Sequence, residues 1–377
     1  MTPYLPFGKP DFSDAEIEAV ARVLRSGWVG MGPETLAFEA ELAAAVGAPH
    51  VVTVNSCTSA MLLSLKALGV GPGDEVICPS LTWCSTANAA LYLGATPVLC
   101  DVNPRTLCVD RDSVVPHLTA RTRAVMVVHF GGLAADVVAL RAALPAHVAI
   151  VEDAAHAFGS RYHDGRPVGA SGNLVCYSFY ANKVLSTGEG GAIALFDADV
   201  ADKLRSLRQH GLPVDAWKRF THPRMVMNAN LTELGYKANY TDLQAAIGRV
   251  QLRRQGEFAR TRLAAARAYQ EGLQGLPLAF QDGATDEAHS RHLFIVLLGD
   301  GARLSRDELL ARLRERNIGA TIHYEPVHHM PLYRRAGAPP LARTDAIAAR
   351  ILTLPIGASV TVDDARRVVD ATRELLG

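Results

Sequence analysis

The sequence HVVTVNSCTSAMLLSLKALG, residues 50–69, joins two contrasting patterns. Its first five residues are mostly β-branched and indicate a buried strand, whereas the run from Thr58 onward favours a helix. Further strand-like runs follow between residues 74 and 179: DEVICP, TPVLCDV, RAVMVVHF, HVAIVED and NLVCYSF. Helical patterns such as AADVVALRAAL separate several of them. Strands that alternate with helices predict an α/β fold, a mostly parallel sheet covered by helices on both faces.

The length of 377 residues favours two domains. We assign residues 1–240 to an N-terminal segment and a large domain, and residues 241–377 to a linking long helix and a smaller C-terminal α/β domain. The long helical pattern starts near Thr241, which has the capping-box spacing to Gln244. Beyond it, HLFIVLLGD predicts a strand, and SRDELLARLRERNIG and TVDDARRVVDATRELLG predict helices.

Composition excludes several classes of function. Acidic and basic residues balance at 38 each, so net charge predicts neither nucleic-acid nor membrane binding. We expect no signal peptide, and no window approaches about 18 uninterrupted apolar residues. The six cysteines form no CxxC pair and are expected to be reduced thiols of the core. These features predict a cytoplasmic protein.

Polar residues at the carboxyl ends of parallel strands are the first candidates for ligand binding. NSCTSAM follows the first strand and opens a helix, so Thr58 and Ser59 offer hydroxyls beside free backbone N–H groups. Such a helix start suits a phosphate. An ordinary helix cap is the alternative.

Two further strand ends carry chemically useful groups. HVAIVEDAAHAFGS ends a strand with Glu152 and Asp153, followed by His156. A carboxylate there can pair with a protonated ring nitrogen of a cofactor, or cap a helix. Trp83, in PSLTWCSTANAA, can stack on an aromatic ligand or belong to the core.

Lys183 lies in CYSFYANKVLSTGEGG, residues 176–191. A lysine held beside apolar groups is more often neutral, and a neutral amine is a nucleophile toward carbonyls. STGEGG supplies small residues that let the backbone pass close by. A phosphate site, a stacking surface, a strand-end carboxylate and an amine nucleophile together point to pyridoxal 5′-phosphate (PLP).

Two competing sites lack support. No GxGxxG follows a strand and opens a helix, so a dinucleotide site is not expected. The thirteen histidines show no HExxH or comparable spacing. We interpret His328 and His329 as a pair of loop residues and expect no metal.

With these residues in place, the chain resembles the DegT/StrS-type (DnrJ/EryC-like) sugar aminotransferases over nearly its whole length. The similarity rests on ordered motifs: NSCTSA, GPGDEVICPSLTW, LGATPVLCDV, VEDAAHAFGS, SFYANK, STGEGG, GYKANYTDLQAAIG and IHYEPVH. The resemblance implies a fold-type I PLP-dependent transferase, whose large domain has a seven-stranded, mostly parallel sheet between helices.

The resemblance also implies roles for individual residues. Lys183 corresponds to the lysine of the internal aldimine, and Asp153 to the partner of the pyridinium nitrogen. The other cofactor contacts that it implies are His156 at the ring hydroxyl, Trp83 stacked on the ring, Thr58, Ser59 and Ser178 at the phosphate, and Asn239 at the phosphate in the neighbouring subunit. Each active site would then be shared within a homodimer.

The implied reaction is a transamination. L-glutamate donates an amino group through a pyridoxamine phosphate form, and a nucleotide-linked keto-deoxysugar accepts it, most often at C4. His323, Tyr324 and the segment 210–237 are expected to line the acceptor pocket. The products of such enzymes enter lipopolysaccharide, capsule, O-antigen or antibiotic pathways.

Alternatives remain open at this point. The acceptor could be a 3-keto sugar or a keto-cyclitol, and the chain could be a non-catalytic, PLP-binding regulatory relative. Related sugar dehydratases carry histidine at the aldimine position, and Lys183 argues against that class. Val184 departs from the asparagine that many relatives have after the lysine, and Lys237 with Asn239 replaces Asn and Arg.

Overall fold

The large sheet of the computed structural model, which describes residues 3–212, 231 and 233–377, contains seven strands. They are β1 His50–Val54, β2 Glu75–Pro79, β3 Thr96–Cys100, β4 Thr122–Val128, β5 Ala149–Asp153, β6 Leu174–Ser178 and β7 Gly191–Leu195. Their order is β1-β7-β6-β5-β4-β2-β3. Strand β7 is antiparallel to both of its neighbours, β1 and β6, and the other pairs of neighbouring strands are parallel. The predicted, mostly parallel sheet is therefore confirmed.

Strand β7 was not among the runs identified in the sequence. It begins at Gly191, directly after the glycine-rich turn that follows Lys183. A Cβ atom at Gly191 would lie 2.6 Å from the carbonyl carbon of Ser56 and 2.7 Å from the backbone nitrogen of Cys57. Only glycine fits so close to the backbone of Ser56 and Cys57. The small residues therefore let β7 pass beside the helix that begins at Cys57, as expected.

Helices cover both faces of the large sheet. They are α1 Asp14–Ser26, α2 Pro33–Val46, α3 Cys57–Ala67, α4 Ser85–Leu91, α5 Arg111–Val114, α6 Val137–Ala143 and α7 Ala198–Leu207, with 3-10 turns at Val115–His117 and Phe130–Gly132. Successive residues along a strand point to opposite faces. Thus Val51 belongs to one buried cluster and Val52 to another.

The predicted long helix divides at Arg254 into α8 Asp242–Arg253 and α9 Gln255–Gly272. The predicted capping box is present, because Thr241 Oγ1 and the Gln244 amide each bond the other residue's backbone N–H. The division lets α8 pack against α1 and α2, while α9 packs against the C-terminal helix.

The remaining described residues form a second, three-stranded sheet. Its strands are β8 Leu278–Phe280, β9 Phe294–Leu298 and β10 Ile351–Leu354, all antiparallel in the order β10-β9-β8. The helices of this part are α10 Arg306–Glu315, α11 Pro331–Arg335, α12 Ala342–Ala348 and α13 Val362–Leu376, with a 3-10 turn at Val327–His329. The predicted strand and two helices are present, and the exact domain boundary stays a prediction.

Two bulk expectations concern the whole chain. No helix within the described residues has both the length and the apolar character that crossing a bilayer requires. All six cysteines, which lie in the described ranges, are free thiols, and five of them are buried.

Candidate active site

A cavity of about 460 Å³ opens at the carboxyl ends of β1, β4, β5 and β6. It brings together eight of the ten residues that the sequence singled out: Thr58, Trp83, Asp153, His156, Ser178, Lys183, His323 and Tyr324. Ser59 and Asn239 do not line it. A ligand at this edge would meet groups from four strands at once.

Lys183 follows β6 on a tight turn, in which its backbone N–H donates to the carbonyl oxygen of Tyr180 at 2.9 Å. Burial lowers the pKa of its amine to about 8, although the nearby Asp153 carboxylate acts in the opposite direction. The amine nitrogen lies 3.4 Å from Nε2 of His292. The structure therefore provides an amine that is neutral far more often than an ordinary lysine.

The carboxylates of Asp153 and Glu152 point to opposite faces of β5. Asp153 lines the cavity, where Thr86 Oγ1 donates to its Oδ2 at 2.8 Å and the Ala155 N–H donates to its Oδ1 at 3.1 Å. Glu152 is fully buried and 2.7 Å from Nε2 of His129. Asp153 alone of the two faces a ligand.

Glu152 is instead the centre of a buried hydrogen-bond network. It accepts from Tyr162 at 2.6 Å, Ser171 at 2.5 Å and Asn173 at 2.7 Å, in addition to His129. Burial by itself would raise the pKa of Glu152, but hydrogen bonds from His129, Ser171 and Tyr162 lower it overall. Its role is structural.

His156 is buried, and the Gly131 N–H donates to its Nδ1 at 3.3 Å. Burial holds the pKa of His156 well below its usual value, so the ring is neutral. Nδ1 is an acceptor, so the single ring proton lies on Nε2 and is donated to the Tyr324 hydroxyl, 2.9 Å away. Burial also lowers the pKa of His323 to about 3.

Trp83 is not a core residue, since 58% of its surface is exposed. It lines the cavity, and its ring centroid lies 5.8 Å from that of Tyr324. The exposed ring leaves a flat face on which a planar ligand can stack.

The start of α3 forms another wall of the cavity. Ser56 is the N-cap and accepts a hydrogen bond from the Ser59 N–H at 3.1 Å. Thr58 faces the cavity, while the Ser59 hydroxyl donates to Asn55 Oδ1 at 2.7 Å. Ser178 lines the cavity from the end of β6. The wall combines hydroxyls with the positive end of a helix dipole, as an anion site requires.

Asn239 lines a separate cavity of about 430 Å³, together with Trp28, His210 and Lys237. It is therefore not brought to Lys183 within one chain. Of the segment 210–237, which was expected to line the acceptor pocket, residues 213–230 and 232 lie outside the described residues.

Sequence patterns missed two residues of the site. His292 precedes an apolar strand and lies 109 positions from Lys183, so no local spacing connects them. Thr86 was visible only as the second threonine of an i, i+4 pair with Thr82, and the two hydroxyls lie 2.9 Å apart. Val184, which the sequence could not explain, is buried in the core of the large sheet.

The residues present fit PLP. The cavity carries a carboxylate, an amine, an exposed indole and a helix N-terminus on its walls. Asn182 also lines it, and its side-chain oxygen is buried with no hydrogen-bond partner among the described residues. A polar ligand in this space would satisfy that oxygen, because buried acceptors rarely stay unpaired.

Comparisons with known proteins agree with this site. The sequence pattern of the DegT/DnrJ/EryC1/StrS aminotransferase family matches residues 10–373. The spore coat polysaccharide biosynthesis protein SpsC of Bacillus subtilis (strain 168) is 40% identical over 380 residues, covering 99% of this chain and 97% of that protein.

Solved structures show the same fold. DesV of S. venezuelae, in complex with a ketimine intermediate, is 38% identical with a TM-score of 0.88, covering 99% of this chain and 98% of its own. Spr1654 of Streptococcus pneumoniae, a proposed sugar aminotransferase, is 28% identical. Its PMP form has a TM-score of 0.91 and covers 98% of each chain. Its PLP form has a TM-score of 0.90, covering 99% of this chain and all of its own.

The family match spans nearly the whole chain, and the cavity holds the groups that PLP needs. The fold is therefore that of a fold-type I PLP-dependent transferase, and the cofactor is PLP. The chain belongs to the DegT/DnrJ/EryC1/StrS aminotransferase family and is a PLP-dependent sugar aminotransferase.

Proposed function

We propose that this enzyme transfers an amino group from L-glutamate to C4 of a nucleotide-linked keto-deoxysugar, with Lys183 as its catalytic residue. The observation that carries the proposal is the pKa of about 8 for the Lys183 amine, at a cavity that also holds Asp153. An amine with that pKa is about one-tenth neutral at pH 7.

Lys183 has two tasks in this proposal. Its neutral amine would hold PLP through the cofactor's aldehyde carbon, with water released, and PLP when bound would supply an electron sink for the bond-breaking step. Once the donor has taken its place, the freed amine would carry a proton from the donor's α-carbon to the cofactor on the same face. The contact with His292 holds the amine within the cavity during both tasks.

Asp153, His156 and Trp83 hold the cofactor in this proposal. Asp153 pairs with the protonated ring nitrogen, and its donors Thr86 and Ala155 hold the carboxylate in position. His156 bonds the ring hydroxyl, and Trp83 stacks on the ring face. Thr58, Ser59 and Ser178 with the start of α3 receive the phosphate.

His323 and Tyr324 are proposed to face the acceptor sugar. Both line the cavity around Lys183. A neutral His323 and a Tyr324 hydroxyl offer donors and acceptors without net charge, which suits the hydroxyl groups of a sugar ring. The polysaccharide role named for SpsC supports a product that enters a surface polysaccharide.

The proposal includes a homodimer with shared sites, which the position of Asn239 supports. This residue lines a cavity other than the one around Lys183, and in the proposal it contacts the phosphate bound in a neighbouring chain. The unpaired state of all six cysteines supports a reducing, cytoplasmic location.

A panel of nucleotide-linked keto sugars tests the acceptor, with L-glutamate as donor and product mass as readout. We expect the mass of the sugar to change as one ketone is replaced by one amine, with 2-oxoglutarate formed in equal amount. NMR should place the new amine at C4. Amination at C3, or of a keto-cyclitol alone, would replace the proposed acceptor. L-aspartate and L-alanine serve as donor controls, and equal rates with them would reject glutamate.

A further inference from the structure

Two adjacent histidines share one carboxylate outside the cavity. Nε2 of His328 lies 2.9 Å from Oδ1 of Asp345, and Nε2 of His329 lies 2.7 Å from the same oxygen. The three potential ligand atoms lie within 4.8 Å of one another. The sequence suggested only a pair of loop residues. In the structure, the 3-10 turn that holds both histidines faces α12, which carries Asp345.

The hydrogen bonds around a neutral His329 leave no proton for the contact between its Nε2 and Asp345. Its Nδ1 lies 2.8 Å from Glu325 Oε1, and a carboxylate can only accept, so Nδ1 carries the proton. In a neutral ring, Nε2 then presents a lone pair to Asp345 Oδ1, which is also an acceptor. A second ring proton or a cation must lie between these two atoms.

The ring of His328 is also oriented by a hydrogen bond at its Nδ1. Its Nδ1 lies 2.7 Å from the hydroxyl of Ser80, and that hydroxyl also accepts the backbone N–H of His328 at 3.0 Å. Both rings therefore use Nδ1 for a hydrogen bond and direct Nε2 to a common point. Histidines that bind metals are oriented by this kind of outer contact.

We propose that His328, His329 and Asp345 bind a zinc-class divalent cation. Two imidazole nitrogens and one carboxylate oxygen suit Zn²⁺, whereas Mg²⁺ and Ca²⁺ prefer oxygen ligands alone. Tetrahedral bonds of about 2.0–2.2 Å place nitrogen and oxygen about 3.4 Å apart, so the present pairs must open by roughly 0.5–0.7 Å. The side chains of His329 and Asp345 are 30% and 40% exposed, so water can complete the coordination.

The position of the site assigns it a structural task. None of the three ligands lines the cavity around Lys183. Asp345 lies on α12, where Thr344 donates through its N–H and hydroxyl to Asp101, which follows β3. His328 is hydrogen-bonded to Ser80, which follows β2. The cation would therefore help to fix the segment that carries His323 and Tyr324 to the large sheet.

Metal titration of the PLP-loaded protein, free of any histidine tag and dialysed against a chelator, tests the proposal. We expect one equivalent of Zn²⁺ per chain by competition with a chromophoric indicator, and visible ligand-field absorption when Co²⁺ is used. Mg²⁺ should not compete. Zinc should also raise the melting temperature, and the chelator should reverse that shift.

Variants make the test specific. His329→Ala and Asp345→Asn should each abolish binding of the one equivalent of Zn²⁺. Glu325→Gln should weaken zinc binding by about 10–100-fold, because Glu325 only orients His329. The exposed His147→Gln variant serves as the matched control and should bind like the wild type. Circular dichroism verifies that each variant is folded. Absence of zinc binding in the wild type, or unchanged binding in both ligand variants, would overturn the proposal.

Discussion

Nζ of Lys183 lies 3.4 Å from Nε2 of His292, whose other ring nitrogen is buried and finds no hydrogen-bond partner in the part of the chain that the structure describes. The His292 ring also packs on His156, with centroids 4.5 Å apart. Burial holds the pKa of both imidazoles well below the usual value, so both rings are neutral. The amine therefore lies beside two uncharged rings, where burial lowers its pKa and the Asp153 carboxylate acts in the opposite direction.

The rate of PLP attachment to the apoenzyme should report the pKa of Lys183. The neutral amine exists above its pKa, so the rate should rise about tenfold per pH unit toward pH 8 and then level off. Stopped-flow absorbance across this range measures it, with N-acetyl-lysine as the reference amine. A rate that keeps rising toward 10.5, the ordinary value, would contradict the lowered pKa.

Replacement of Lys183 by alanine should stop the reaction. We expect the conversion of L-glutamate to 2-oxoglutarate to fall by more than about 10³-fold, because both the nucleophile and the proton carrier are lost. Borohydride reduction and peptide mass spectrometry should find the cofactor on residue 183 only in the wild type. The exposed Lys9→Ala variant is the control. A Lys183→Ala enzyme with a normal rate would exclude the assignment.

Substitution of Asp153 by asparagine should separate cofactor binding from turnover. The amide can still accept from Thr86, so PLP content should remain near wild type. Loss of the charge opposite the ring nitrogen should lower kcat by roughly 10²–10³-fold, since preorganised charges are worth several kcal/mol. Steady-state kinetics and cofactor absorbance measure the two effects, and an unchanged kcat would argue against the pairing.

Substitution of Glu152 by glutamine should affect stability. Glutamine removes the ionised, buried acceptor of four hydrogen bonds, so the free energy of unfolding should fall by about 1.5–3 kcal/mol, measurable by urea unfolding, whereas the exposed Glu18→Gln should stay within about 0.5 kcal/mol. The pKa of Glu152 is lowered from 4.5, so its contribution is present above pH 4.5 and is lost as the pH falls further. The difference between wild type and variant should therefore shrink in acid.

Mixed dimers test whether active sites are shared. Inactive Lys183→Ala and Asn239→Ala subunits should regain about a quarter of wild-type activity when mixed equally, because half of the dimers then hold one intact site. Mass spectrometry must show that mixed dimers form. If they form and no activity returns, Asn239 acts within its own chain or not at all.

The two carboxylates at the end of β5 show how far the sequence could be interpreted. The strand pattern predicted that Glu152 and Asp153 lie at a strand end, and neighbouring strand residues point to opposite faces. Which face holds the ligand depends on how the neighbouring strands and helices are arranged, and that is a tertiary property. The same limit applies to His292, which reaches Lys183 only through the packing of the C-terminal part.

The close approach at Gly191 also limits how this enzyme can change. Strand β7 is hydrogen-bonded to β1 and β6, so the turn with Lys183 and the start of α3 are joined through main-chain bonds. The separation between the backbone of this turn and the start of α3 is thus set by main-chain bonds. His323 and Tyr324, which we propose to contact the acceptor, belong to a different segment, so under that proposal acceptor preference can diverge in evolution while the backbone around Lys183 is kept.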